Sequence, residues 1–175
     1  MKKETQNILK QRAINMAVEP EQERDASTII KVIEFTLGNE RYGIESAYVR
    51  EVYKFGDFTP LPGVPSFILG IVNIHGQIVP VVNLKKFFNI PEKGLGELNK
   101  LIIIYNDQME FGVLSDEVNG TKTIYIEDLL PVPVMVSDIG EKYLKGITKE
   151  SLIILSAENL LSDKNMVVNE EVTYK

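Results

Sequence analysis

Thr59-Pro60-Leu61-Pro62-Gly63-Val64-Pro65, followed by Phe67-Ile68-Leu69-Gly70-Ile71-Val72-Asn73-Ile74-His75-Gly76-Gln77-Ile78-Val79-Pro80-Val81-Val82-Asn83-Leu84, decides how this chain folds. The closely spaced prolines fix φ and remove backbone donors, so the first part cannot be helical and reads as a stiff loop. Two apolar runs then flank His75-Gly76. A two-residue hairpin turn needs positive φ at both centres, which Gly adopts freely and His tolerates better than most residues. The stretch is therefore a β-hairpin entered from a rigid loop, a surface that holds a shape rather than an active site.

Upstream, Ile29-Ile30-Lys31-Val32-Ile33-Glu34-Phe35-Thr36-Leu37 is β-branched, and Gly38-Asn39 turns it into Arg41-Tyr42-Gly43-Ile44. After a polar break at Glu45-Ser46, Tyr48-Val49-Arg50-Glu51-Val52-Tyr53 alternates and predicts a half-buried strand. Downstream, Asn83 is placed to cap Leu84-Lys85-Lys86-Phe87-Phe88, which Pro91 stops; Lys93-Gly94-Leu95-Gly96 makes a flexible crossing.

The second half of the chain has the same order again. Leu101-Ile102-Ile103-Ile104-Tyr105, a turn at Asn106-Asp107-Gln108, and Glu110-Phe111-Gly112-Val113-Leu114 answer the first two strands, with Gly112 lying 69 positions after Gly43. Leu130-Pro131-Val132-Pro133 answers the proline loop, and Tyr143-Leu144-Lys145-Gly146-Ile147 answers Phe67 to Ile71, with Gly146 lying 76 positions after Gly70. Leu152-Ile153-Ile154-Leu155 and a helix capped by Ser156 complete the series. Four landmarks in one order argue for an internal duplication with a longer second loop. The expected fold is all-β: two tandem SH3-like five-stranded β-barrels with short helices, sharing an apolar seam, with the exchange of terminal elements between them left open. The expected boundaries are a flexible N-terminal arm over 1–28, a first barrel over 29–92, a second over 97–162 and a tail over 163–175, with 28–162 together forming one module.

Composition narrows the function. The 175 residues are 44% hydrophobic, enough for a real core. Cysteine is absent, so neither disulfides nor thiolate metal sites are available, which suits a reducing cytoplasm. A formal net charge of -6 speaks against nucleic-acid binding and against docking on acidic membranes. The segment before Ser27 is interrupted by Lys10 and Arg12, too broken for a signal peptide and too short for a membrane span, and Glu19-Pro20-Glu21-Gln22-Glu23 reads as a solvated linker. No catalytic constellation assembles: there is one His, no nucleophile elbow, no phosphate-binding glycine loop, and no pair of His at metal spacing. No catalytic residue, cofactor or metal is expected. Asp116-Glu117 is an acidic pair whose adjacent side chains point to opposite faces of a strand, and it reads as an exposed strand end.

Three sets of residues carry two readings each. His75 is either a turn residue tolerating positive φ or a side chain presented to a partner at a hairpin tip. Glu51 is either a solvated strand carboxylate or a polar contact beside Val49 and Val52. Phe58, Leu61, Val64 and Phe67 either fill the loop's own core or anchor another protein.

Tyr42-Gly43-Ile44, Val49-x-Glu51-Val52, Pro62-Gly63-x-Pro65, Gly70-x-x-Asn73-x-x-Gly76 and Pro80-Val81-Val82-x-Leu84, with Gly112-Val113 and Asp116-x-Val118 in the second half, resemble in order the pattern of the CheW-type coupling proteins of bacterial chemotaxis. The resemblance implies two intertwined SH3-like barrels without enzymatic activity, monomeric alone and cytoplasmic. It implies an adaptor between the signalling tip of chemoreceptors and the histidine kinase CheA, through the kinase's own CheW-like regulatory domain. Val49, Glu51, Val52, Gly70, Asn73 and His75 are then expected to face the receptor, and Phe58, Leu61 and Val64 the kinase. The alternatives are a CheW-like module of another two-component pathway and, less well supported, a nucleic-acid-binding pair of SH3-like barrels. The chain departs from the family pattern at His75, where an arginine is usual, and at Asn83, where an aspartate is usual. Imidazole makes no bidentate fork and is mostly uncharged near neutral pH without an acidic partner, so a contact through residue 75 is expected to be weaker or pH-dependent.

Overall fold

The central strands of this chain are apolar on both faces, and the architecture follows from that. A computed structural model describes residues 28–133 and 140–166. The first half supplies β1 (Ile29–Leu37), β2 (Glu40–Glu45), β3 (Val49–Lys54), β4 (Ile68–Ile74), β5 (Gln77–Val82) and the one-turn helix α1 (Leu84–Phe87). The second half supplies β6 (Lys100–Tyr105), β7 (Glu110–Ser115), β8 (Glu117–Tyr125), β9 (Leu144–Ile147), β10 (Leu152–Leu155) and α2 (Ala157–Ser162). His75 and Gly76 take the positive φ values of 53° and 84° that the hairpin turn requires. Both helices are capped as expected: Asn83 Oδ1 accepts from the backbone N–H of Lys85 at 3.0 Å, and Ser156 Oγ from that of Asn159 at 3.2 Å.

The strands form two five-stranded sheets, in the orders β8-β1-β2-β10-β9 and β3-β6-β7-β5-β4. Exchanging each strand for its counterpart five places along the chain converts one order into the other. The parallel pairs β2–β10 and β5–β7 correspond, and so do the isolated bridges Thr59–Ile71 and Leu130–Ile147. This is the duplication in three dimensions, and it agrees with the all-β, twice five-stranded expectation. The sheets do not divide the chain near residue 95, however. Hairpin β1–β2 is inserted between β8 and β10, and hairpin β6–β7 between β3 and β5, so each half completes the other's sheet.

That exchange explains the unbroken apolar run Leu101-Ile102-Ile103-Ile104. Ile102 and Ile104 join Phe35, Leu37, Tyr42, Ile44, Phe111 and Val113 in the core shared by both sheets, together with Leu160 and Leu161 of α2. Leu101 and Ile103 point the other way, into a cluster private to the second sheet with Val72, Ile74, Val79, Val81 and Leu114. A strand buried on both faces has no reason to alternate. Each such side chain contributes about 1.5–3 kcal/mol, so the seam is a substantial part of the stability.

Two local readings are corrected and one strand is added. β3 does not alternate strictly: a bulge between Val49 and Glu51 leaves Arg50 without a partner on β6, and everything from Val52 to Lys54 is exposed. The nine-residue β8 contains Asn119-Gly120, poor strand formers, and forms because β1 templates it over eight residue pairs. Asp116 is not an exposed strand end. Its carboxylate accepts from the fully buried Lys85 Nζ at 2.5 Å and from the backbone N–H of Gly38 at 2.7 Å, and its own N–H donates to Thr36 O at 2.9 Å. It thereby clasps the β1–β2 turn to α1.

The arm expected over 1–28 lies outside the described residues except for Thr28, and the tail expected over 163–175 lies outside them beyond Met166. That tail does not begin at Asp163: Lys164–Met166 forms a 3-10 turn, and Met166 is only 2% exposed in the shared core.

Candidate partner-binding face

In the order β3-β6-β7-β5-β4, β3 and β4 are the two edges, yet their side chains meet. His75 Nε2 at the β4–β5 tip lies 3.3 Å from Glu51 Oε2 on β3, and the ring of Tyr53 stands edge-on to the imidazole with centroids 6.2 Å apart. Only a sheet curled far enough to bring its edges together permits this. Two stretches more than twenty positions apart in sequence thus form one surface. His75 is 73% exposed at its side chain and Glu51 31%, so the pair is open to solvent and reachable by another molecule. Tyr53, 40% exposed and on the same face of β3 as Glu51, lies beside it, while Val52, equally exposed, is turned to the opposite face with Val49.

The tip is preorganised by its own hydrogen bonds. Asn73 Oδ1 accepts from the Gly76 N–H at 2.9 Å, so the side chain expected to face a partner is already engaged in the turn. Gly70 is buried and presents nothing outward. A Cβ there would collide with the carbonyl of Thr59, which exchanges two backbone bonds with Ile71 at 2.8 and 2.9 Å. The glycine therefore lets the proline loop lie across β4, and its contribution to the face is positional. Val49 is half-buried against the shared core and supports the face from behind.

Phe58, Leu61 and Val64, expected to meet the kinase, are all half-buried. Phe58 stacks on Phe55 with centroids 5.6 Å apart, and both pack on the private core of the second sheet; Val64 packs on the shared core. The loop's exposed residues are Thr59, Pro60, Pro62, Gly63 and Pro65.

Sequence reading missed Arg50. Extruded by the bulge, its guanidinium grips Glu110 of β7 with both ends, Nη1–Oε1 at 3.0 Å and Nη2–Oε2 at 2.5 Å. Nη1 also donates to Gln77 Oε1 at 2.6 Å, and the group lies 5.7 Å from the centroid of the Tyr105 ring. No local signal marks a bulge, and Glu110 and Gln77 are unremarkable polar residues in sequence.

The other sheet is also bridged from strand to tip, with reversed charge and from the position whose register answers Tyr53 rather than Glu51. There Lys122 on β8 meets Glu150, at the β9–β10 tip, at 2.9 Å and Glu34 at 3.4 Å. The Glu150 hydrogen bond pushes the Lys122 ammonium above its ordinary pKa, and Lys122 in turn holds the Glu150 carboxyl below the usual carboxylate range.

Comparison with known proteins shows the family and the fold. A family model described as the CheW-like domain matches residues 31–165. "Chemotaxis protein CheW" of Treponema pallidum is 30% identical over 165 residues, covering 90% of this chain and 93% of that protein. "Protein FrzA" of Myxococcus xanthus is 34% identical over 117 residues, 67% of this chain and 72% of that one. Among solved structures, the scaffolding protein TtCheW from Thermoanaerobacter tengcongensis is similar with a TM-score of 0.68 and 31% identity, covering 78% of this chain and 88% of that chain.

Proposed function

The chain belongs to the CheW-like domain family, and from that premise we propose that it is a non-enzymatic chemotaxis adaptor coupling chemoreceptors to the histidine kinase CheA. The observation that carries this reading is the convergence of Glu51 and His75, at 3.3 Å, on an exposed face flanked by Tyr53. A rigid, solvent-open combination of charge and apolar surface suits recognition of another protein's folded surface. The receptor's signalling tip binds here, touching Glu51, Val52 and His75, while Val49, Gly70 and Asn73 hold the face in shape. The kinase's CheW-like regulatory domain binds the proline loop, ordered from beneath by Phe58, Leu61 and Val64. The sequence halves 29–92 and 97–162 act as one unit, because each sheet needs a hairpin from both. Among the described residues no helix is long and apolar enough to cross a membrane, and the adaptor works in the cytoplasm, as a monomer when alone.

A pull-down with a receptor signalling-tip fragment and a kinase regulatory domain as separate and competing baits tests this. Glu51→Lys is expected to lose the receptor bait and keep the kinase bait. Loss of neither, with both baits bound by the parent chain, contradicts the assignment of the face. By calorimetric titration, His75→Arg is expected to preserve or strengthen receptor binding and His75→Asp to weaken it, because only the former adds a permanent charge opposite Glu51. Equal binding by all three proteins removes residue 75 from the contact set.

A further inference from the structure

The Glu51–His75 contact is too weak to hold itself in place. An exposed pair at 3.3 Å contributes little, and with His75 73% exposed, water competes for both groups. The tip of the β4–β5 hairpin needs a stronger tie to β3, and the residue next to Glu51 provides one. Because the bulge gives Arg50 no cross-strand partner, its side chain crosses the intervening β6 to reach Glu110 on β7 and Gln77, the first residue of β5. Two hydrogen bonds and a further ion-pair contact converge on one guanidinium, which thereby engages both carboxylate oxygens of Glu110, the stronger and more directional form of such a pair.

Gln77 follows His75 by two positions, and Arg50 precedes Glu51 by one. The two contacts are therefore parallel rungs between the same pieces of backbone. Fixing one rung restricts the other, with Tyr53 and Glu51, both on β3, as the titratable groups against the imidazole.

We propose that Arg50 is the positioning residue of this face: by tying Gln77 and Glu110 to the bulge in β3, it sets the distance at which Glu51 and His75 are presented together to the receptor. This rests on the reading of the face as receptor-binding and adds to it a residue that need not touch the receptor. Arg50→Lys is not equivalent, since an ammonium cannot bridge a carboxylate in two directions and reach an amide as well.

The test has two independent readouts on the full-length chain. His75 is the only histidine in the sequence, so its imidazole gives a single set of NMR resonances whose chemical shifts report the ring's contacts with Glu51 and Tyr53 without any partner present. Affinity for a receptor signalling-tip fragment is measured in parallel, with Glu51→Ala as the control for the face itself. Arg50→Ala and Arg50→Gln are expected to shift the His75 resonances toward those of the Glu51→Ala protein. They are also expected to weaken receptor binding about tenfold, with Arg50→Lys intermediate. If the resonances of His75 are unchanged in both Arg50 variants, the positioning role is overturned. If they change while neither the Arg50 variants nor Glu51→Ala alters receptor binding, Arg50 positions the pair but the face is not the receptor's. Having two substitutions at an exposed position guards against a single misfolded variant.

Discussion

Removing the Asp116 carboxylate should be far more damaging than its half-buried setting would suggest. Lys85 is 2% exposed at its side chain, and its ammonium has its ion-pair partner in Asp116 at 2.5 Å. Asp116→Ala leaves that charge buried and unpaired, at a cost of about 3–5 kcal/mol, and strips the acceptor from the buried N–H of Gly38, about 1 kcal/mol more. Lys85→Met keeps the aliphatic stem and leaves Asp116, more accessible to water, still accepting from Gly38; it should cost only about 1–2 kcal/mol. In the double variant the buried charge is gone, so most of the Asp116→Ala loss disappears and the coupling between the two sites exceeds about 2 kcal/mol. The chain has no tryptophan, so urea unfolding is best followed by circular dichroism. With a slope of about 2 kcal/mol per molar, Asp116→Ala lowers the midpoint by roughly 2 M. A shift below about 0.5 M, or losses that simply add in the double variant, would refute the claim that this clasp joins the β1–β2 turn to α1 energetically.

Two further expectations concern the frame of the face and the acid limit of the fold. Gly70→Ala should cost about 3 kcal/mol or more, because the added carbon forces Thr59 off Ile71; Gly146→Ala, whose added carbon would lie 3.1 Å from Leu130 O and from the Leu129 side chain, should cost less. Thermal unfolding of both variants checks the ranking, and equal midpoints would show that the proline loop does not depend on the bare backbone at residue 70. Burial alone would raise the pKa of Asp163, but hydrogen bonds from Tyr143, the backbone N–H of Asn165 and Lys142 outweigh it and hold the carboxyl below the usual carboxylate range. A depressed folded value contributes stability that is fully present above the ordinary carboxylate pKa, near 4, and lost as pH falls through the folded value. Asp163→Asn should therefore lower stability at pH 7 and reduce the further loss between pH 5 and pH 2. Parallel stability–pH curves for the two proteins would dismiss Asp163 as an acid-sensitive tie.

Much of the fold was legible because local chemistry determined it. Pro60, Pro62 and Pro65 exclude helix, His75-Gly76 admits one kind of turn, and Asn83 and Ser156 each have a helix to cap. The duplication was legible for a related reason: Gly43, Gly70, Gly112 and Gly146 each sit where a side chain or backbone closes over the strand, so their order is the same in both halves although the loop between them differs in length. Strand exchange was harder, since periodicity says which face of a strand is buried but not by which half of the chain. The clue was the failure to alternate in Leu101-Ile102-Ile103-Ile104, which already required apolar neighbours on both sides. The site was legible as residues and not as geometry. Glu51 and His75 were singled out separately, but their meeting needs a curled sheet, and the part played by Arg50 needs a bulge that no residue announces.

The two sheets offer an internal control on what such a surface requires. Both are built from corresponding strands in the same order, and in both an ionisable residue on one edge strand reaches a tip of the hairpin at the other edge. In the sheet containing the candidate face, the acid is on the strand and the weaker base on the tip; in the other, Lys122 is on the strand and Glu150 on the tip. The opposite polarity of the two bridges shows that the curl of the sheets does not depend on which edge carries the acid, and exposed pairs of this kind add little to holding the edges together. A partner approaching from solvent meets the exposed member at the tip, and for it the polarity matters: one tip presents an imidazole and the other a carboxylate. Two duplicated sheets can therefore keep the same fold and offer unlike surfaces to partners.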